Sequence, residues 1–136
     1  MKIVLDTNCL VNVIMPGSYN NDIWQAFRAS KYTLCVTNEI LYEYHEILAK
    51  RYNLIIANTV LKELMESPNL ERVNPTYRFN LITADPDDNK FVDCAVIAGA
   101  TYIVSNDRHF DELKRYDFPK VDVRKLSEFL NIVRTL

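Results

Sequence analysis

Met1-Lys2-Ile3-Val4-Leu5-Asp6-Thr7-Asn8 opens the chain with an unbroken apolar run that ends in a carboxylate. Ile3, Val4 and Leu5 do not alternate with polar residues, the pattern of a strand covered on both faces of a parallel sheet. Ligands of open α/β sheets bind beyond the carboxyl ends of the strands, so Asp6 stands where such folds place their chemistry. Alone, one acid after one strand reads more simply as a helix cap, a role open to Asp6 or Asn8. The reading turns on whether other carboxylates reach the same place.

Similar apolar runs occur at residues 33–36 and 102–104, and further strands are predicted at 81–84 and 121–123. Between them the apolar spacing predicts helices at about 10–14, 21–29, 38–51, 54–66, 89–99 and 126–133. Thr37 and Asn53 are placed as N-caps and Gly99 as a C-cap. In the fourth helix Leu54, Ile55, Val60, Leu61, Leu64 and Met65 read as core-facing. Residues 70–80 carry Arg72, Tyr77, Arg78 and Phe79, which suit either a polynucleotide groove or a loop with a short edge strand.

Strands separated by helices define an α/β class, a three-layer α/β/α arrangement with a central parallel β-sheet. A chain of 136 residues with 49% hydrophobic content is expected to form a single domain over 1–136 with an adequate core. Cys9, Cys35 and Cys94 are an odd number without a C-x-x-C pair, so reduced thiols in a cytoplasmic protein are expected, and no zinc site. Polar residues interrupt any signal-peptide core, and no run approaches the ~20 apolar residues of a membrane span. A net charge of −2 gives no long-range attraction to nucleic acid. A basic surface is best sought among Arg108, His109, Lys114, Arg115, Arg124 and Lys125; His109 alone reads as a surface residue rather than a base.

The acids fall into a pattern. Asp107 follows the strand at 102–104 as Asp6 follows the first. On the helix at 38–51, Glu43 projects about 60° from Ile40 and about 40° from Ile47, at the edge of the apolar stripe, while Glu39 and Glu46 point away. In Asp85-Pro86-Asp87-Asp88-Asn89, Asp85 or Asp87 suits a capping role. Asp88, three residues before Phe91 and four before Val92, belongs to the sheet-facing side, and helix phase favours it over Asp87. Asp93 projects on the opposite side.

Asp6, Glu43, Asp88 and Asp107 can therefore converge on one crevice. Unbalanced, such a cluster would destabilise the fold, because like charge and desolvation both oppose ionisation. A hard divalent cation, Mg²⁺ or Mn²⁺, removes the penalty and leaves coordination positions for water and phosphate oxygens. The chemistry that follows is metal-dependent phosphodiester hydrolysis.

The order of these parts resembles the PIN-domain family, and more narrowly its small prokaryotic toxin components. The resemblance rests on Ile3-Val4-Leu5-Asp6-Thr7-Asn8, Asn38-Glu39-Ile40-Leu41-Tyr42-Glu43-Tyr44, Asp85-Pro86-Asp87-Asp88-Asn89-Lys90-Phe91 and Ala100-Thr101-Tyr102-Ile103-Val104-Ser105-Asn106-Asp107, across nearly the whole chain. It implies a Mg²⁺- or Mn²⁺-dependent endoribonuclease with Asp6, Glu43, Asp88 and Asp107 as its acidic quartet. Asn8 and Ser105 match polar positions that orient these acids or their waters, and Asp93 would at most support them. It further implies an RNA substrate, a homodimer and an antitoxin partner that blocks the site. Two other readings stay open: an aspartyl-phosphate phosphotransferase using Asp6, although Asn8 stands where a second acid would be needed, and a binding module without turnover.

Overall fold

A computed structural model describes residues 1–136. The apolar runs form one five-stranded parallel sheet. β1 (Lys2–Leu5) is central, paired with β2 (Thr33–Val36) on one side and β4 (Tyr102–Val104) on the other. β3 (Leu70–Arg72) and β5 (Val123–Arg124) are the edges, giving the order β3-β2-β1-β4-β5. Parallel neighbours need crossovers, and helices supply most of them: α1 (Thr7–Val13) and α2 (Asn21–Arg28) lead to β2, then α3 (Asn38–Arg51) and α4 (Leu54–Glu66) to β3. α5 (Asn89–Ala98) precedes β4, a 3₁₀ segment (Arg108–Arg115) precedes β5, and α6 (Leu126–Val133) closes the chain.

This order places the site. The sheet is built outward in one direction from β1 to β3 and in the other from β4 to β5, so the topological switch lies between β1 and β4. Their register sets Leu5 opposite Val104, which brings the next residues, Asp6 and Ser105, side by side at the carboxyl end. α5 packs against β1, β2 and β4 and is buried along most of its length, from Asn89 to Ala95. The Tyr44 hydroxyl of α3 donates to the Leu5 carbonyl and fixes that helix against the end of β1. Thr37 and Asn53 cap α3 and α4 by accepting from the Ile40 and Ile56 amides. Trp24, Phe27, Tyr32 and Phe129 stack in sequence where α2 meets α6.

Three expectations are corrected. Residues 81–84 form no strand: Leu81 and Ile82 are buried, but the Asn89 side chain takes both the amide and the carbonyl of Ile82, each at 2.9 Å, and Glu112 receives the amides of Thr83 and Ala84. One asparagine and one glutamate thus satisfy backbone groups that a sheet partner would otherwise pair. The last strand lies at Val123–Arg124 rather than 121–123, set by its register with Ile103 and Val104. On α4, Leu54, Ile55 and Met65 are exposed, because the buried side of this helix carries Ala57, Val60 and Leu64. All three cysteines are buried free thiols.

Gly99 ends α5 at φ 66°, and a Cβ built there meets nothing within 4 Å. The cost of a side chain is therefore one of backbone conformation alone. Gly99→Ala is expected to lower unfolding free energy by about 1 kcal/mol in urea titration; an unchanged midpoint would show that this turn does not constrain the fold.

Candidate functional site

Asp6 occupies the N-cap position of α1 but makes no side-chain capping bond. Its carboxylate turns instead to β4, where the Ser105 hydroxyl donates to Oδ2 at 2.7 Å. The same Ser105 oxygen accepts the Asp107 amide at 3.0 Å, so one hydroxyl ties the two strand-end acids together. Asp107 also serves as a cap, accepting the His109 amide at 2.9 Å at the start of the 3₁₀ segment. Both are held by backbone geometry at the switch point.

Asp88 ends a short 3₁₀ turn (Pro86–Asp88) and is buried, whereas Asp87 is exposed and Asp85 caps the turn by accepting the Asp87 amide at 3.1 Å. Helix phase thus separated these three acids correctly. Glu43 is half-buried on α3; its Oε2 accepts the Thr7 hydroxyl and its Oε1 lies 3.2 Å from the Lys90 ammonium. Asn8 is exposed at the rim beside Asp6 and Asp107, and its side chain hydrogen-bonds none of the acids.

His109 is the first residue whose place among the acids the sequence did not show, although it is the surface residue expected, 41% exposed. Its Nδ1 sits 3.1 Å from Asp88 Oδ2, 3.2 Å from Asp107 Oδ1 and 3.9 Å from Asp85 Oδ2. A cap geometry that places its amide on Asp107 also turns the ring inward. Potential ligand atoms of Asp85, Asp88 and His109 all lie within 4.8 Å of one another.

Lys90 is the second, matched only as part of a motif. It is the sole cation between Arg78 and Arg108, and it lies in the first turn of a helix, where the macrodipole disfavours positive charge. That placement was the available signal. Asp93, projected outward, is instead 1% exposed: residues 73–84 cross that side of α5, with the Phe79 amide donating to Oδ1 at 3.1 Å and Arg78 4.0 Å from Oδ2. Arg78 and Arg72 are thus engaged with Asp93, Glu39 and Asn38.

Electrostatics link the carboxylates. Burial raises the Asp6 pKa, and the charges of Asp107 and Glu43 add to it against the Ser105 hydrogen bond. Burial likewise pushes Asp88 up to about 6, with Asp107, Asp85 and Asp6 adding and the His109 hydrogen bond opposing. The bond to Asp88 and the surrounding acids raise His109. For Lys90 burial pulls downward, but Asp87 and Glu43 outweigh it. Asp6 and Asp88, held toward their neutral forms chiefly by burial, together with Asp107 and the ring nitrogen drawn in beside it, are a donor set suited to a hard divalent cation.

Two depressions meet at this end of the sheet. One of about 290 Å³ exposes Asp6, Asn8, Asn106 and Asp107. A larger groove of about 570 Å³ runs from Ser105 and Asp107 along β5. It is lined by Arg108, Lys114, Lys120, Arg124 and Lys125, but also by Asp111, Asp117, Asp122 and Glu128, so its charge is mixed rather than basic.

The sequence matches the PIN-domain family over residues 2–109. The chain belongs to that family. No curated protein sequence matches it. Among solved structures, this PIN domain is similar to VapBC2 from Rickettsia felis bound to a promoter DNA fragment, with TM-score 0.62 and 18% identity over 92% of this chain and 98% of that one. It is also similar to the Mycobacterium tuberculosis VapC20 toxin, which cleaves the sarcin–ricin loop, with TM-score 0.59 and 14% identity over 80% and 92% of the two chains. DNA-bound VapBC from Salmonella typhimurium gives 0.58 and 17% over 93% and 98%. These likenesses confirm a three-layer fold with a central parallel sheet.

The Asp88 shift fixes the sign of a pH effect. A folded-state pKa of about 6 against an ordinary 3.8 means that the folded protein binds more protons between those values, so this group lowers stability as pH rises through the window. In chelator-treated protein at about pH 8, Asp88→Asn is expected to be more stable than wild type by about 1 kcal/mol in urea titration, with the gain vanishing below about pH 4. A variant destabilised throughout would show that Asp88 carries no charge penalty.

Proposed function

We propose that this PIN domain is a divalent-metal-dependent endoribonuclease acting as the toxin component of a toxin–antitoxin pair. The observation that supports this most is the Ser105 bridge, which sets Asp6 and Asp107 together at the switch point within the electrostatic reach of Asp88 and Glu43. The family supplies the nuclease context, and the VapC and VapBC likenesses supply the toxin context.

Asp6, Asp88 and Asp107 would hold Mg²⁺ or Mn²⁺, with Glu43 contributing charge beside them. When bound, the ion supplies Lewis acidity, lowering the pKa of a water and offsetting charge at phosphorus. Ser105 orients the Asp6 carboxylate and holds the Asp107 backbone beside it, and Thr7 and Lys90 fix Glu43. Hydrolysis then adds water across one P–O bond of the RNA backbone, the attacking oxygen joining phosphorus as the leaving oxygen takes up a proton. The groove along β5 is a path for the substrate strand, with Arg108 and Lys120 available for phosphate contacts. In this reading the protein works in the cytoplasm as a homodimer, held inactive by an antitoxin that covers the acids.

Purified protein with Mn²⁺ or Mg²⁺ is expected to cleave RNA, and Asp6→Asn to lower the rate by about 100-fold or more while the circular dichroism spectrum is unchanged. Equal cleavage by wild type and Asp6→Asn, or intact RNA with metal-loaded wild type, would contradict the proposal.

A further inference from the structure

Lys90 and His109, the two nitrogen side chains against these acids, are held differently. The Lys90 ammonium donates to the Asp87 carbonyl at 2.8 Å and forms ion pairs with Asp87 Oδ2 at 2.9 Å and Glu43 Oε1 at 3.2 Å. Its side chain is 5% exposed, and its ammonium lies 5.1 Å from the centre of the Phe91 ring. The Glu43 carboxylate is correspondingly committed, with Lys90 on one oxygen and Thr7 on the other. Withdrawing Lys90 would leave the half-buried Glu43 carboxylate without its ion-pair partner, so this cation does not exchange readily. The His109 ring, among Asp85, Asp88 and Asp107, is 41% exposed and can turn to solvent without such a penalty.

We infer that Lys90 is a built-in counter-cation for Glu43, so that the chain takes up one divalent ion, on the Asp6, Asp88 and Asp107 side, and none at Glu43. Lys90 is thus a positioning residue: it orients the Glu43 carboxylate while denying it to a second ion. Two-metal nuclease chemistry needs a clamp on both attacking and leaving oxygens. Here the ammonium supplies the second positive charge without an open coordination position. The inference deepens the metal-dependent reading given above and rests on it.

The test is calorimetric titration of the full chain with Mn²⁺, with electron paramagnetic resonance to count bound ions. Wild type is expected to bind one Mn²⁺ per chain, Lys90→Gln two, and Lys90→Arg, which restores the charge, one. Two ions on wild type, or one on a folded Lys90→Gln, overturn the assignment; a purely structural lysine would change the melting temperature without changing the count. Two ions on wild type together with RNA cleavage overturn this inference alone. Neither binding nor cleavage would overturn the nuclease reading with it.

Discussion

The parallel register of β1 and β4 sets the Asp6 carboxylate beside Ser105, two residues before Asp107, so that the two acids share one end of the sheet and Asp6 feels the charge of Asp107. A single hydroxyl, that of Ser105, accepts from the Asp107 backbone while donating to the Asp6 side chain. It separates the two charges by a fixed geometry rather than by distance. Asp88 and Glu43 then arrive from helical segments packed at the same end of the sheet, and a nitrogen side chain lies against each: the His109 ring beside Asp88 and the Lys90 ammonium beside Glu43. A fold that only needed a helix cap after β1 would not require this, since the Asp6 side chain makes no capping bond.

Much of this was legible in the chain. Unbroken apolar runs of three or four residues gave β1, β2 and β4, because burial on both faces leaves no room for alternation. Helix phase separated Asp88 from its neighbours and put Glu43 at the edge of its stripe, since both depend only on local periodicity. The failures share one cause. Leu81 and Ile82 looked like a strand, but side chains distant in sequence from that run or adjacent to it took its backbone groups. Asp93 looked exposed because the segment that crosses it lies ten to twenty residues earlier and has no periodicity. Leu54 and Ile55 fitted an apolar stripe yet face outward, since a helix packed mainly on α3 has a narrower buried side than its composition allows.

His109 and Lys90 belong to the same category. Neither residue type is unusual, and only tertiary placement puts one imidazole nitrogen among three carboxylates and one ammonium on Glu43 and Asp87. Net charge concealed them, because a near-neutral total says nothing about local pairing. The same holds for the groove along β5: Arg108, Lys114, Arg124 and Lys125 line it as the sequence suggested, joined by Lys120, but five acids share the wall. The field along it therefore depends on where each charge points rather than on the total.

The central claim is that Asp6, Asp88 and Asp107 form one cation site rather than three separately satisfied acids. Anomalous diffraction from crystals soaked in Mn²⁺ tests this most directly. The account predicts one strong anomalous peak in contact with carboxylate oxygens of all three residues, with the His109 ring displaced from its place among the acids. No peak there, or a peak confined to Asp85 and His109 at the surface, would contradict it.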